Sequence, residues 1–251
     1  MATNSKIEWT THTFNPWWGC TKVSDGCKFC YAEALSRRYG SDVWGPGKPR
    51  RTFGDKHWAE PLKWNMEAQR LDTRFRVFCA SMADVFDPAA PAGQLERLWN
   101  LMAQTPYLDW QILTKRPERI YDNLPGDWGY GYPNVWLGTS VEDERVLDRI
   151  YDLRAVPALI RFLSLEPLIG PLENLPLDGI HWVIVGGESG PKARPMKKAW
   201  VVSIFRQCRA ANVPFFFKQW GGARKHMTGR TLYGRTYDEL PKLCNEGLLA
   251  N

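Results

Sequence analysis

Short apolar runs recur along the chain roughly every 25 to 35 residues, and most of them end in polar or glycine residues, which is the signature of alternating strands and helices. The runs are RVFCASMADVF (76–86), WQILTKRP (110–117), NVWLGTSVED (134–143), IRFLSLEPL (160–168), HWVIVGGESG (181–190) and PFFFKQWGG (214–222). They are nearly continuous rather than alternating, as expected of parallel strands buried on both faces. A further strand is expected at 13–17, for about seven in all. Between the runs, the pattern predicts helices over 29–39, 92–104, 142–155 and 197–211, with a short one at 117–123. In 92–104, Leu95, Leu98, Trp99 and Met102 fall at helical spacing, and in 142–155 Val146, Leu147, Ile150 and Leu153 form one stripe.

The repeat predicts an α/β fold, a TIM-like (partial) β/α barrel of about six to eight parallel strands, with a doubly wound open sheet as the competing closure. No linker divides the chain, so 1–251 is expected to form a single barrel domain. The Gly-, Pro- and Arg-rich stretch 40–63 reads as an insertion or lid, 123–133 as an irregular loop, and 223–251 as a capping tail. In either closure the functional groups belong at the C-terminal ends of the strands. Those ends offer Ser81 and Asp84; Thr114, Lys115 and Arg116; Thr139, Ser140 and Glu142; Ser164 and Glu166; Gly186, Gly187, Glu188 and Ser189; and Lys218, Gln219 and Trp220. Taken singly, each has an ordinary structural role. Ser and Thr cap helices, Glu142 complements a helix dipole, and the Lys115–Arg116 pair suits a solvated loop. Recurring at successive strand ends, they predict a shared mouth. Gly186-Gly187-Glu188 adds a backbone that a ligand can approach closely and a carboxylate for an ammonium group.

Composition narrows the setting. The chain of 251 residues is 44% hydrophobic and 24% charged, with 13 Trp and a formal net charge of +6, which permits an anionic partner without requiring one. No apolar leader opens the chain and no stretch reaches the ~18 apolar residues of a membrane span, so a cytoplasmic location, reduced thiols and no membrane are expected. Lys48, Arg50, Arg51 and Lys56 stand among Trp44, Phe53, His57 and Trp58, a mixture that suits either nucleic-acid stacking or a solvated loop with aromatic anchors.

The most specific chemistry lies in TFNPWWGCTKVSDGCKFCYAE, where Cys20, Cys27 and Cys30 are spaced C-x6-C-x2-C. Three thiolates on a 4Fe-4S cluster leave one iron open to a small molecule, whereas four leave none. A structural zinc site needs four ligands, usually as paired C-x2-C knuckles, and here the fourth would have to be His12 or Cys79. Lys22 and Lys28 are expected to offset the thiolate charge, and Tyr31 to pack against the metal group. Cys79, Cys208 and Cys244 are scattered singly and read as small buried apolar residues.

The ordered set FNPWWGC…CKFCYAE, SMADVFD, ILTKRPER, NVWLGTSVE, LSLEPLIGPL, VIVGGESG and FFFKQWGG resembles a largely uncharacterised phage and bacterial family with a three-Cys motif. That family is similar to the radical S-adenosylmethionine superfamily, and nearest its spore photoproduct lyase-like branch. The resemblance implies a 4Fe-4S cluster on Cys20, Cys27 and Cys30 and S-adenosylmethionine as cofactor, cleaved to a 5′-deoxyadenosyl radical by an electron from an external flavodoxin or ferredoxin type reductant. The superfamily usually spaces its cysteines C-x3-C-x2-C and carries its GGE after the second strand; here the first gap is six residues and GGE lies on the sixth expected strand, so the role of Gly186, Gly187 and Glu188 rests on chemistry alone. Glu166, Glu188 and Lys218 are the candidate catalytic groups. Tyr31, Ser81, Thr114, Lys115, Ser140, Ser164, Gly186 and Gly187 are the candidates for holding the cofactor. The basic excess, the Trp content and the phage-like resemblance point first to a nucleobase or modified nucleotide as substrate, with a peptide or small metabolite in second place. The alternative is a non-catalytic, zinc-stapled nucleic-acid-binding module.

Overall fold

The computed structural model describes residues 3–242. Its main sheet has seven strands, β1 (His12–Phe14), β4 (Phe75–Cys79), β5 (Leu108–Thr114), β6 (Val135–Ser140), β7 (Ile160–Leu165), β8 (Trp182–Gly186) and β9 (Phe215–Gln219), all parallel and in that spatial order. A two-stranded antiparallel ribbon, β2 (Trp17–Trp18) with β3 (Arg51–Thr52), stands just beyond the end of β1. The sequential order has no point at which the winding reverses, which excludes the doubly wound alternative. The sheet curls into a partial TIM-like half-barrel.

Helices α1 (Tyr31–Arg38), α2 (Asp55–Trp58), α3 (Glu60–Arg70), α4 (Gln94–Ala103), α5 (Asp148–Ala155), α6 (Lys198–Ala210) and α7 (Lys225–Thr228) complete the described elements, with 3₁₀ turns including Pro117–Arg119, Tyr121–Asn123 and Glu144–Val146. The expected stretch 142–155 is thus a 3₁₀ turn followed by a shorter helix, and 117–123 is two 3₁₀ turns. The supposed lid at 40–63 is not irregular throughout: it contains β3, α2 and the start of α3, which is the crossover from β1 to β4. Its stripe of Pro61, Trp64 and Ala68 is buried.

Alternation along the strands sorts the core into two layers. One face carries Val77, Trp110, Ile112, Leu137, Leu163, Val183, Val185, Phe215 and Phe217. It packs against Trp64 and Ala68 of α3, Leu98 and Met102 of α4, Ile150 and Leu153 of α5, and Val201 and Ile204 of α6. The opposite, concave face is filled by Phe78, Trp136, Ile160, Phe162, Trp182, Ile184 and Phe216, with Trp9 from the N-terminal segment and, among the described residues, no helical one. Trp182 lies at its centre, with ring centroids 5.7 Å from Phe162, 6.0 Å from Trp136 and Phe216, and 6.1 Å from Trp9. Cys79 and Cys208 are buried as expected; Cys244 lies outside the described residues, as does the tail from 243 onward. Within the described part of the tail, Tyr237 O accepts Phe217 N–H and Asp238 bridges Phe216, so this segment covers the open edge of β9.

Candidate functional site

Burial on the concave face changes character along each strand. Towards the C-terminal ends the aromatic layer gives way to Lys115, Ser140, Ser164, Glu166 and Gly186, each two or four residues beyond an apolar lumen residue of the same strand. Across this mouth runs the cysteine segment. It leaves β2 at Gly19, whose N–H donates to Met82 O (3.0 Å), turns through the 3₁₀ element Asp25–Cys27, and enters α1 with Cys30 as its N-cap. Cys20, Cys27 and Cys30 are all half-buried.

The segment is tied down strand end by strand end. At β4 and β5, Arg116 Nη1 pairs with Asp84 (3.0 Å) and donates to Cys20 Sγ (3.7 Å), while Nη2 donates to Thr21 O (2.7 Å). Asp84 in turn accepts from the Thr114 hydroxyl (2.7 Å), Lys115 N–H (3.1 Å) and Phe86 N–H (3.1 Å). At β6, Glu142 receives Lys115 Nζ (2.9 Å), Arg149 Nη1 (3.0 Å) and the Ser24 hydroxyl (3.2 Å). A Cβ on Gly26 would overlap the Glu142 side chain, so the Asp-Gly turn lies directly on this carboxylate. At β8, Arg194 forks onto Glu188 (2.6 and 2.9 Å) and donates to Asp25 O (3.0 Å), while Arg145 holds the Asp25 carboxylate (2.7 Å).

These pairs explain the charge states. Burial alone drives the Glu142 carboxyl up, yet Lys115 and Arg149 outweigh it and leave it below the usual carboxylate range. Burial pulls the Lys115 ammonium down, but Glu142 and Cys27 carry it above its ordinary value. The Cys20 thiol is pushed up to about 12 by burial and by Asp84, with Arg116 opposing. Burial likewise raises Cys30, against the N–H groups of Glu33 and Ala32.

The remaining predicted residues sort by position. Glu166 and Lys218 form an ion pair that spans β8. The pair crosses above Gly186, where a Cβ would come within 3.3 Å of Glu166 Cδ. Lys218 is the extra residue of a register shift, since Val185 faces Phe217 but Gly186 faces Gln219, and such bulges re-aim side chains. The Tyr31 hydroxyl donates to Ser81 O (2.9 Å), which ties the residue after Cys30 to the chain just beyond the end of β4. Ser81 Oγ bonds Asn15 (3.1 Å). Ser140 and Ser164 are buried, with their carbonyls taken by Arg149 and Val141 N–H. Thr114 serves Asp84. The structure places Glu188 in the Arg194 clamp, and Gly187 against the backbone of Trp220, where a Cβ would overlap Trp220 O.

Three expectations change. Lys22 is bound to Glu33 (2.7 Å) and Lys28 lies over Phe29 (5.5 Å); the cations at the thiols are Lys115 and Arg116. The Lys115–Arg116 pair is not a solvated loop but largely buried on two carboxylates. His12 is stacked on Trp64 (4.4 Å) within the core and accepts Asn4 N–H, so it is no partner for the cysteines. Arg149 and Arg194 escaped notice because their carboxylates, Glu142 and Glu188, lie seven and six residues back across irregular stretches that only the fold closes, and the contact of Gly26 with Glu142 because it joins residues far apart in sequence; the local signals were a basic residue inside an apolar stripe and a turn-prone Asp-Gly between cysteines.

Three soft thiols beside two cations suit an iron–sulfur group. Among the described residues no three His, Cys, Asp or Glu side chains converge as ligands of one ion. In a cubane cluster each thiolate binds a different iron, so such convergence is not needed. A cavity of about 570 Å³ opens at the opposite, N-terminal end of the strands, around Leu177, His181, Asn212 and Pro214, away from this chemistry. A smaller one of about 170 Å³ lies beside the cysteine segment, lined by Thr21, Lys22, Glu33, Trp44, Gly45 and Pro46.

One family, described as "Protein of unknown function (DUF5131)", matches residues 4–241. No curated protein sequence is detectably similar. Among solved structures, a cysteine-to-serine variant of spore photoproduct lyase superposes with a TM-score of 0.52 at 16% identity, over 74% of this chain and 58% of that one. A double variant of the same enzyme, with bound AdoMet and dinucleoside spore photoproduct, gives 0.50 at 14% identity, over 79% and 61%. The chain therefore spans about three fifths of the length of these structures, and the likeness is one of fold.

Proposed function

We propose that this chain, which belongs to the DUF5131 family, is a radical S-adenosylmethionine enzyme acting on a nucleobase or modified nucleotide, in the cytoplasm and with an external flavodoxin or ferredoxin type reductant. One observation carries the reading: a single segment bearing Cys20, Cys27 and Cys30 is anchored by four strand ends over the mouth of a half-barrel. A 4Fe-4S group on these thiolates, with one iron open to S-adenosylmethionine, would supply one-electron cleavage to the 5′-deoxyadenosyl radical.

The chain's own work is orientation and exclusion of water. Glu142 directly through Ser24 and Gly26, and Asp84 and Glu188 through Arg116 and Arg194, fix the cysteine segment. Tyr31, Ser81, Ser140, Ser164 and Gly186 line the space beneath it. Glu166 and Lys218 are the charged pair facing that space, suited to the polar ends of cofactor or substrate. A nucleotide substrate is favoured by the net charge of +6 and by a stack at the rim: Arg51 lies over Trp18 (5.1 Å) and Phe53 (5.5 Å), and Phe53 stacks on His57 (4.2 Å). The double variant with bound dinucleoside spore photoproduct is in keeping with this class. Zinc stapling requires four ligands on one ion, and the described residues do not bring three together.

Anaerobic reconstitution with iron and sulfide is expected to give a brown protein that forms 5′-deoxyadenosine from S-adenosylmethionine and dithionite, and the Cys30→Ala variant none. A colourless protein holding one zinc overturns the proposal. Nucleoside mass spectrometry with and without the gene tests the substrate class.

A further inference from the structure

We infer that Arg116 is a positioning residue that donates a hydrogen bond to the Cys20 thiolate and, together with Asp84, sets the reduction potential of the group held by Cys20, Cys27 and Cys30. The inference rests on the cluster reading above. The three thiols have unequal surroundings. Cys27 is met by the neutral Ser24 hydroxyl at 3.9 Å, and Cys30 by backbone N–H groups of the first turn of α1. Among the described residues, only Cys20 is met by a charged hydrogen-bond donor, Arg116 Nη1 at 3.7 Å. That guanidinium is buried and has its other contacts filled by Asp84 (3.0 Å) and Thr21 O (2.7 Å), so it cannot swing away. Asp84 is itself locked by Thr114, Lys115 N–H and Phe86 N–H.

Hydrogen bonds to the sulfurs and local charge are what a protein uses to tune such a group. A donor to Cys20 draws charge off the thiolate and favours the reduced state. Taking Arg116 away removes that donor and also leaves the Asp84 charge uncompensated beside the thiolate; both effects disfavour an added electron. Neutralising Asp84 acts in the opposite sense. A residue that merely folds the loop would not produce opposite signs.

The test is an EPR-monitored redox titration of the reconstituted full chain, with iron and sulfide counted for each variant. Arg116→Met is expected to shift the reduction equilibrium at least tenfold towards the oxidised state, about 59 mV for a one-electron couple. Arg116→Lys, which keeps the charge but not the fork, is expected to fall between Arg116→Met and the parent. Asp84→Asn is expected to shift the equilibrium towards the reduced state. Where Arg116→Met does not load, the opposite signs of Arg116→Lys and Asp84→Asn carry the test. Fully loaded variants with the parent's potential, or with shifts of the same sign, overturn the inference alone. A parent chain that loads no cluster overturns the proposed function with it.

Discussion

At the scale of single residues, the site depends on carboxylates that never need to touch a ligand. Glu142 takes two cations and a hydroxyl while Gly26 lies against its side chain. Gly26→Ala forces an overpacked contact of the kind that costs about 1–3 kcal/mol; a lower melting temperature and fewer irons per chain are the expected readouts. Because its carboxyl is held below the usual range, Glu142 contributes stability that is fully present above the ordinary value of about 4.3 and is lost as pH falls through its lowered folded value. Glu142→Gln is therefore expected to be less stable at pH 7 and to show a shallower loss on acidification, as measured by urea unfolding across pH. Lys218 lies on a bulge and meets Glu166 above Gly186. Loss of a charge-assisted contact of about 1.5–3 kcal/mol predicts that Lys218→Ala slows 5′-deoxyadenosine formation roughly tenfold to a hundredfold. Its iron content should stay unchanged.

At the scale of elements, the strands were legible because burial on both faces leaves little choice of residue. The run expected at 160–168 is β7, Ile160–Leu165, and that at 214–222 is β9, Phe215–Gln219. Helix α3 was missed although Pro61, Trp64 and Ala68 share a helical stripe, because the Gly- and Pro-rich stretch before it dominates the local composition. The two-residue ribbon of β2 and β3 had no legible signal, since its pairing joins residues more than thirty positions apart. In the site, the three cysteines and the strand-end polar groups could be read from spacing and from run ends. The division of those groups into ones that hold the loop and ones that face the mouth could not, since it depends on partners such as Arg149 and Arg194. The concave layer is itself testable: Trp182→Ala, at the centre of four aromatic contacts, is expected to cost about 3–5 kcal/mol in denaturant unfolding.

At the scale of the whole molecule, the stretch between β2 and α2 is anchored by the buried Arg50–Asp87 pair (2.8 Å), with Arg50 also bonding Val43 O and the Thr21 hydroxyl. Breaking one side of such a pair costs about 3–5 kcal/mol. Asp87→Ala should show that loss on unfolding, and limited proteolysis within 40–50 should then be faster than in the parent. No helix among the described residues is long and apolar enough to cross a membrane. The tryptophan layer has a consequence for what can be processed. Trp9, Trp136, Trp182, Phe162 and Phe216 fill the concave face below the polar strand ends and leave no passage along the barrel axis. A polymer cannot be threaded along that axis. From the strand ends, only a terminus, a sharply bent loop or a single unit swung out of its strand reaches the aromatic floor.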